Sequence, residues 1–261
     1  MPTHKKTAVI TFSPQGLVLA RRLRTAWPGC ALFAHAAVPA PRGVKRFDRV
    51  RELTTRLFPG MRALVFIGAS GIAVRALAGC LRDKHADPAV VLVDAGGRFA
   101  VSLLSGHEGG ANALALDTAN ILGAEPVIST TTEAVKTAIV GVGCRRGTPA
   151  GRIIAAIRRG LKLADVAPNE VRWLATAEAK RREPGLLEAA RKLGLPLRIM
   201  PDWQMRRGGP EVTPSPFVKA AINLPAVAEP AALTAGRNTT LLLKRQASNG
   251  VTVAVARENC W

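Results

Sequence analysis

The sequence predicts an α/β protein built as two α/β domains with mostly parallel sheets. Three observations predict it. Short apolar runs of strand length alternate with segments whose apolar residues recur at helical spacing. The run Ala63–Gly68 (ALVFIG) is apolar without alternation, as a strand covered by helices on both faces must be. The strand–helix alternation also begins afresh at Thr137, which divides the 261 residues into domains 1–136 and 137–261. The join carries no Gly/Ser linker, so the two domains are expected to be held close.

Each element has its own warrant. Thr7–Phe12 is a short apolar strand, and Ser13 and Pro14 then read as N-cap and first residue of a helix through Gln15–Arg24. Ala31–Ala36 is a second strand, and the basic stretch Arg42–Arg46 is a loop. Asp48–Leu57 is helical and stops before Pro59. A helix over Gly71–Leu81 follows the ALVFIG strand, and Ala89–Val93 is the next buried strand. Gly96-Gly97 turns the chain into Phe99–Leu104, a hairpin. Asn112–Leu122 is helical and ends at Gly123, before a short strand at Val127–Ser129.

The second cycle starts with a strand at Ala138–Val142, after which Thr148-Pro149 caps a helix over Gly151–Leu163. Val171–Thr176 is a strand, Leu186–Leu193 a helix stopped by Gly194, and Leu197–Met200 a strand. Phe217–Ile222 and Pro230–Thr234 read as short helices. Asn249-Gly250 between Leu241–Lys244 and Val251–Ala256 is a strong hairpin signal.

Composition narrows the function. No apolar run reaches the length of a membrane span. The start MPTHKKTAVITFSP has no long apolar stretch or small-residue cleavage site, so a cytoplasmic protein is expected. Cys30, Cys80, Cys144 and Cys260 lie far apart without a CxxC pair, which reads as reduced thiols rather than a metal or disulfide framework. The formal net charge is +19. Residues 1–136 carry 17 Lys+Arg against 9 Asp+Glu, and residues 137–261 carry 20 against 9, so the excess is spread and not gathered in a tail. Such a surface attracts nucleic acid, an anionic membrane or an acidic small molecule, and a basic surface with no specific partner is equally open. Aromatic residues make up only 4%, too few for a stacking stripe along a nucleic acid.

Three glycine-rich stretches follow strands, where α/β folds place ligands. Gly68-Ala69-Ser70-Gly71 allows close backbone approach before a helix N-terminus, but lacks the Lys-Ser/Thr of a nucleotide loop, and a plain tight turn is an equal reading. Ser105-Gly106-His107-Glu108-Gly109-Gly110-Ala111-Asn112 sets an imidazole beside a carboxylate among glycines. His107 there suits a general base or acid, an axial ligand to a metal inside a substrate, or an incidental exposed histidine. Gly141-Val142-Gly143-Cys144-Arg145-Arg146-Gly147-Thr148 joins a glycine turn to two arginines suited to carboxylates or phosphates. Its glycines run GxGxxxG, one residue off the dinucleotide fingerprint, and no histidine accompanies Cys144 in this half, so Cys144 reads as packing or substrate contact. Arg82–Pro88 reads as a solvated loop, and Lys180–Glu183 and Arg206-Arg207 as solvated faces.

Taken together, these stretches resemble one family. GASGIAVRALAGCLRDKHADPAVVLVDAGGRFAVSLLSGHEGGANALA, residues 68–115, resembles the N-terminal domain of cobalt-precorrin 5A hydrolases, the CbiG family of anaerobic cobalamin biosynthesis. AIVGVGCRRGTP, residues 138–149, with VAEPAALTAG and GVTVAVAR, resembles the family's C-terminal domain and also CobE of the aerobic route. The stretch of several tens of residues that many members carry between the domains is missing, since Ser129–Lys136 runs almost directly into Ala138. The resemblance implies an enzyme that opens the δ-lactone of cobalt-precorrin 5A with water, releases acetaldehyde and gives cobalt-precorrin 5B. It implies no cofactor of the protein's own, because the cobalt is part of the substrate.

On this reading the substrate cleft lies between the two domains. His107, oriented by Glu108, activates water. Arg75, Lys84, Arg145 and Arg146 hold peripheral carboxylates, and Gly109, Gly110, Gly141 and Gly143 line the surface. Gly68, Gly71, Asp83, Ser105, Gly106, Asn112, Cys144, Thr148 and Glu229 complete the expected substrate contacts. The expected partner is a small anionic tetrapyrrole, with no nucleic acid or membrane. A homodimer and transient contact with neighbouring pathway methyltransferases are also in view. The alternative is a CobE-like carrier that holds a corrinoid intermediate without catalysis.

Overall fold

The computed structural model describes residues 4–206 and 226–259, so the expected helix at Phe217–Ile222 lies outside the described residues. The chain divides into two compact units, residues 1–130 and 131–261, each described by itself.

The first unit is a seven-stranded sheet in the order β3-β2-β1-β4-β5-β6-β7. Strands β1 (Thr7–Thr11), β2 (Ala31–His35), β3 (Lys45–Phe47), β4 (Ala63–Ile67) and β5 (Ala89–Val93) are parallel. β6 (Phe99–Leu104) reverses through a hairpin, and β7 (Glu125–Val127) runs parallel to β6. The ALVFIG run is the central strand β4, and all five of its residues are buried. Alternate side chains go to opposite faces. Val65 and Ile67 join Val9, Val91 and Val93 against α1 (Pro14–Ala26) and α4 (Ala111–Leu122). Leu64 and Phe66 join Ile10 and Val90 against α2 (Val50–Leu57) and α3 (Ser70–Leu77). Burial on both faces is why these strands read as continuous apolar runs. Ser13 caps α1 as its sequence predicts, its Oγ accepting the Gly16 N–H at 3.0 Å.

Several boundaries differ from the sequence reading, α1 running on to Ala26 and α2 starting at Val50 among them, and three have a packing reason. The basic stretch ending at Arg46 runs into edge strand β3, because Phe47 is drawn inward against the rings of Phe12 and His35 while Lys45 and Arg46 stay outside. α3 stops at Leu77 instead of Leu81, since Gly79 weakens a further turn and Leu81, half exposed, would bury little. β7 lies two residues earlier than expected and includes Pro126, which an edge strand tolerates.

The second unit is a five-stranded sheet in the order β10-β9-β8-β12-β11. β8 (Ala138–Cys144), β9 (Val171–Ala177) and β10 (Leu197–Met200) are parallel. β11 (Thr239–Ser248) and β12 (Val251–Glu258) form the antiparallel hairpin announced by Asn249-Gly250, whose φ angles of 49° and 80° suit a left-handed two-residue turn. After the short α5 (Thr131–Ala134) come α6 (Ala150–Leu163) and α7 (Pro184–Leu193), which cover Val140, Val142 and Leu174. α8 (Asp202–Met205) and α9 (Ala228–Thr234) cover Ile139, Trp173 and Ala175 on the other face. Gly141 is required here: a Cβ would overlap the Ala228 carbonyl oxygen where α9 crosses β8. The expected Thr148 cap is not formed. Thr148 Oγ1 donates to the Arg145 carbonyl at 2.8 Å, and Pro149 stands at the N-cap of α6. Among the described residues no helix is long and apolar enough to cross a membrane.

Candidate functional site

Strand direction decides which expected residues can meet. In the first unit Gly68 follows the end of β4, level with the end of β5, because Ile67 pairs with Val93. β6 runs the other way and its last residue, Leu104, pairs with Val90. The Ser105–Asn112 loop therefore sits at the opposite edge of the sheet from Gly68, Gly71 and Arg75. The length of a five-residue strand, roughly 16 Å, separates the two edges.

At the first edge, Gly68 lies against Phe12, where a Cβ would come within 2.8 Å of the ring. Arg75 is exposed and donates from Nη1 to the Gly71 carbonyl at 3.1 Å. This edge includes the point between β1 and β4 where the strand order reverses, the usual ligand position in such sheets.

At the second edge, the Arg82–Pro88 connection meets the Ser105–Asn112 loop. Lys84 Nζ donates to Glu108 Oε1 at 3.2 Å. Asp83 Oδ1 accepts the His85 N–H at 3.1 Å, and the buried Asp87 accepts the Arg82 N–H at 3.0 Å, so both aspartates shape the turn. The glycines of the loop have separate reasons. A Cβ on Gly106 would come within 2.8 Å of both Asn112 Oδ1 and Thr130 Oγ1, and one on Gly109 would collide with the Ser105 side chain. Gly110 has φ 86° and caps α4 in the left-handed region. Ser105 is buried with φ 56°, and its Oγ has no hydrogen-bond partner among the described residues.

Asn112 is engaged inside the loop. Its Oδ1 accepts from Ser102 Oγ at 2.8 Å and its Nδ2 donates to Thr130 Oγ1 at 2.9 Å. The Ala111 and Asn112 N–H groups donate to the carbonyls of Ser105 and Gly106, at 3.1 and 2.9 Å. The start of α4 is thus capped by its own loop. What the loop turns outward is His107 and Glu108, both exposed. Glu108 is held by Lys84 and not by His107. Its own backbone N–H, then Lys84, keep its carboxyl below the ordinary glutamate value. His85, which the sequence reading placed in a solvated loop, lies within electrostatic reach of Glu108. Its place in the DKHAD connection was the signal.

In the second unit the loop after β8 and the β11–β12 turn enclose an open pocket of about 640 Å³. Arg145, Arg146, Arg152, Thr148, Asn249 and Gly250 line it, with no carboxylate among its lining residues. The Arg145 N–H donates to the Gly250 carbonyl at 2.9 Å and joins the two walls. Arg152 and the Asn249-Gly250 turn were missed as site residues, because the sequence marked the first only as part of a helix and the second only as a hairpin.

Other expected contacts lie inside the fold. Gly141 packs on α9, and a Cβ on Gly143 would come within 2.5 Å of Thr252 Oγ1. Glu229 is fully buried and accepts the Arg245 N–H at 2.9 Å, where irregular β11–β12 pairing leaves that group to be satisfied. Burial pushes the Cys144 thiol up, Lys180 pulls it back and Glu183 raises it further, which suits packing better than nucleophilic attack. The Lys180–Glu183 run is not the solvated face its sequence suggests. Glu183 is buried and accepts the Gly147 N–H at 2.8 Å. Among the described residues no group of three His, Cys, Asp or Glu side chains could hold a metal ion.

Comparison with known proteins gives these loops a family. The model described as cobalamin synthesis G N-terminal matches residues 52–133, and the cobalamin synthesis G C-terminus model matches residues 138–256. The chain is similar to a cobalt-precorrin-5A hydrolase of Salmonella typhimurium, with 27% identity over 343 aligned positions covering 95% of this chain and 96% of that protein. Those 343 positions exceed the 261 residues of the chain, so that relative carries residues absent here. A cobalt-precorrin-5A hydrolase of Priestia megaterium is 26% identical over 79% of this chain and 81% of its own length. Protein CobE of a Sinorhizobium species is 35% identical over 48% of this chain and 83% of its own length. With one family model on each half, the chain belongs to the cobalamin synthesis G (CbiG) family, and its C-terminal part is similar to CobE.

Proposed function

We propose that the protein is a cobalt-precorrin-5A hydrolase, which opens the δ-lactone of a cobalt corrinoid with water and releases acetaldehyde to give cobalt-precorrin 5B. Similarity to two hydrolases of that name, over 95% and 79% of the chain, supports the reaction. The observation that carries the substrate class is the pocket with three arginines and no lining carboxylate. A macrocycle bearing acetate and propionate groups presents the carboxylates that guanidinium forks hold best.

The chemistry asks for a base, and His107 is the group placed to act as one. Its imidazole is exposed and makes no hydrogen bond among the described residues, so it is free to take a proton from water. Water then adds to the lactone carbonyl, the ring C–O bond breaks, and a carboxylate and a hydroxyl result. The hydroxyl of the two-carbon fragment then gives up its proton to solvent as its C=O bond forms, the fragment leaves as acetaldehyde, and the electron pair of the broken C–C bond remains on the macrocycle. Glu108 and Lys84 act on the loop as a clasp. The Ala111 and Asn112 N–H groups are committed to loop carbonyls and do not serve as an oxyanion hole. Cobalt enters with the substrate.

The test is anaerobic mixing of purified protein with cobalt-precorrin 5A while acetaldehyde is measured. Many equivalents per protein are expected. Tight binding without acetaldehyde would replace this reading with a carrier, which the CobE similarity and the residues lacking relative to the Salmonella protein favour.

A further inference from the structure

The loop that lines the arginine pocket has a support that its sequence does not announce. Beneath the loop lies Lys180–Gly185, which leads into α7. The Glu183 side chain is only 6% exposed, its Oε1 accepts the Gly147 N–H at 2.8 Å, and its Oε2 lies 3.7 Å from Lys180 Nζ. Two residues on, Gly185 abuts the loop so closely that a Cβ would overlap the Thr148 carbonyl oxygen. Gly147 has φ 73°, so its peptide is held in a conformation that favours glycine. The rest of the loop is closed by the Thr148 hydroxyl on the Arg145 carbonyl and by the Arg145 N–H on Gly250. Glu183 is therefore the one side chain from outside the loop and hairpin, among the described residues, that bonds the loop backbone between Arg145 and Thr148. A buried carboxylate is costly unless satisfied, and here an amide and an ammonium satisfy it.

We infer that Glu183 is a positioning residue of the arginine pocket: its carboxylate fixes the Gly147 N–H and so sets Arg145 and Arg146 for a polycarboxylate, while its negative charge tempers their pull. The inference rests on reading this pocket as the seat of the substrate's carboxylates. It separates two effects that point in opposite directions. Glu183→Gln keeps an acceptor oxygen and removes the charge, which also frees Lys180 to add to the positive field. Glu183→Ala removes both acceptor and charge.

The experiment uses the full chain with cobalt uroporphyrin, an octacarboxylate macrocycle, titrated by absorbance. Hydrogen exchange of the Gly147 amide is followed by NMR in the same proteins. In Glu183→Gln, probe binding is expected to tighten by about threefold, with Gly147 exchange little changed. In Glu183→Ala, binding weakens by about tenfold and Gly147 exchange accelerates by about tenfold or more. Unchanged Gly147 exchange in Glu183→Ala would overturn the positioning role. Should that variant not fold, Glu183→Gln decides alone, and binding unchanged or weaker overturns the proposal. If the wild type does not bind the probe at all, the polycarboxylate reading of the pocket falls, and this proposal falls with it. Gly147 exchange would still report separately whether Glu183 holds the loop.

Discussion

At the scale of single residues, the second edge of the first unit contrasts a free imidazole with a tethered carboxylate. His107→Ala is expected to lower turnover of cobalt-precorrin 5A by about 10²–10⁴-fold with the fold intact, as loss of a general base does. A loss within threefold would take His107 out of the mechanism. Asp94 offers a separate test on stability. Burial pushes its carboxyl up, but the Phe99 N–H, the Arg98 guanidinium and the N–H groups of Arg98 and Gly96 outweigh that and hold it below the ordinary aspartate value of 3.8. A lowered carboxyl stabilises the folded chain above that value and loses its contribution as pH falls through the lowered one. Thermal melts of wild type and Asp94→Asn should therefore differ at neutral pH and draw together in acid below 3.8. A gap that stays constant with pH would contradict this.

Legibility at this scale was uneven. The Ser105–Asn112 and Gly141–Thr148 loops stood out because glycines, arginines and a histidine are crowded into few positions. Glu183 did not, because Lys180–Glu183 reads locally as a solvated face and only its packing against Gly147 buries it.

At the scale of elements, the fit of α9 against β8 depends on a bare backbone. Gly141→Ala must displace the Ala228 carbonyl or bend the strand, and about 1–3 kcal/mol of lost stability is expected. Urea unfolding would measure it, and an unchanged midpoint would mean that α9 shifts freely. Most elements were legible because burial on both faces leaves an unbroken apolar signature, and because Asn249-Gly250 names its own turn. The misses share a cause. β3 depends on Phe47 finding Phe12 and His35, and the early end of α3 depends on there being nothing for Leu81 to cover. Both are tertiary facts that no local window contains.

At the scale of the molecule, the +19 charge and the arginine pocket work at different ranges. The spread charge raises the encounter rate of any polyanion and is screened by salt, whereas a guanidinium fork at contact distance acts locally. Raising salt from 50 to 500 mM should slow association of an octacarboxylate macrocycle in stopped-flow measurements far more than it speeds dissociation. Arg146→Ala should do the reverse, raising KM about tenfold while kcat stays within threefold. Equal effects on both rate constants would mean that the arginine acts only as part of the diffuse field.

The hairpin that Gly96-Gly97 announces has an electrical consequence. In a wholly parallel sheet every following helix starts at the same edge, and the partial positive charges of those starts gather there. The reversal between β5 and β6 turns α4 around, so its start faces away from those of α1, α2 and α3. At its own edge the start of α4 lies among the ends of the other three helices and offsets part of their negative partial charge. The helix dipoles of the first unit therefore partly cancel, and its sheet carries a weaker end-to-end field than a wholly parallel one would.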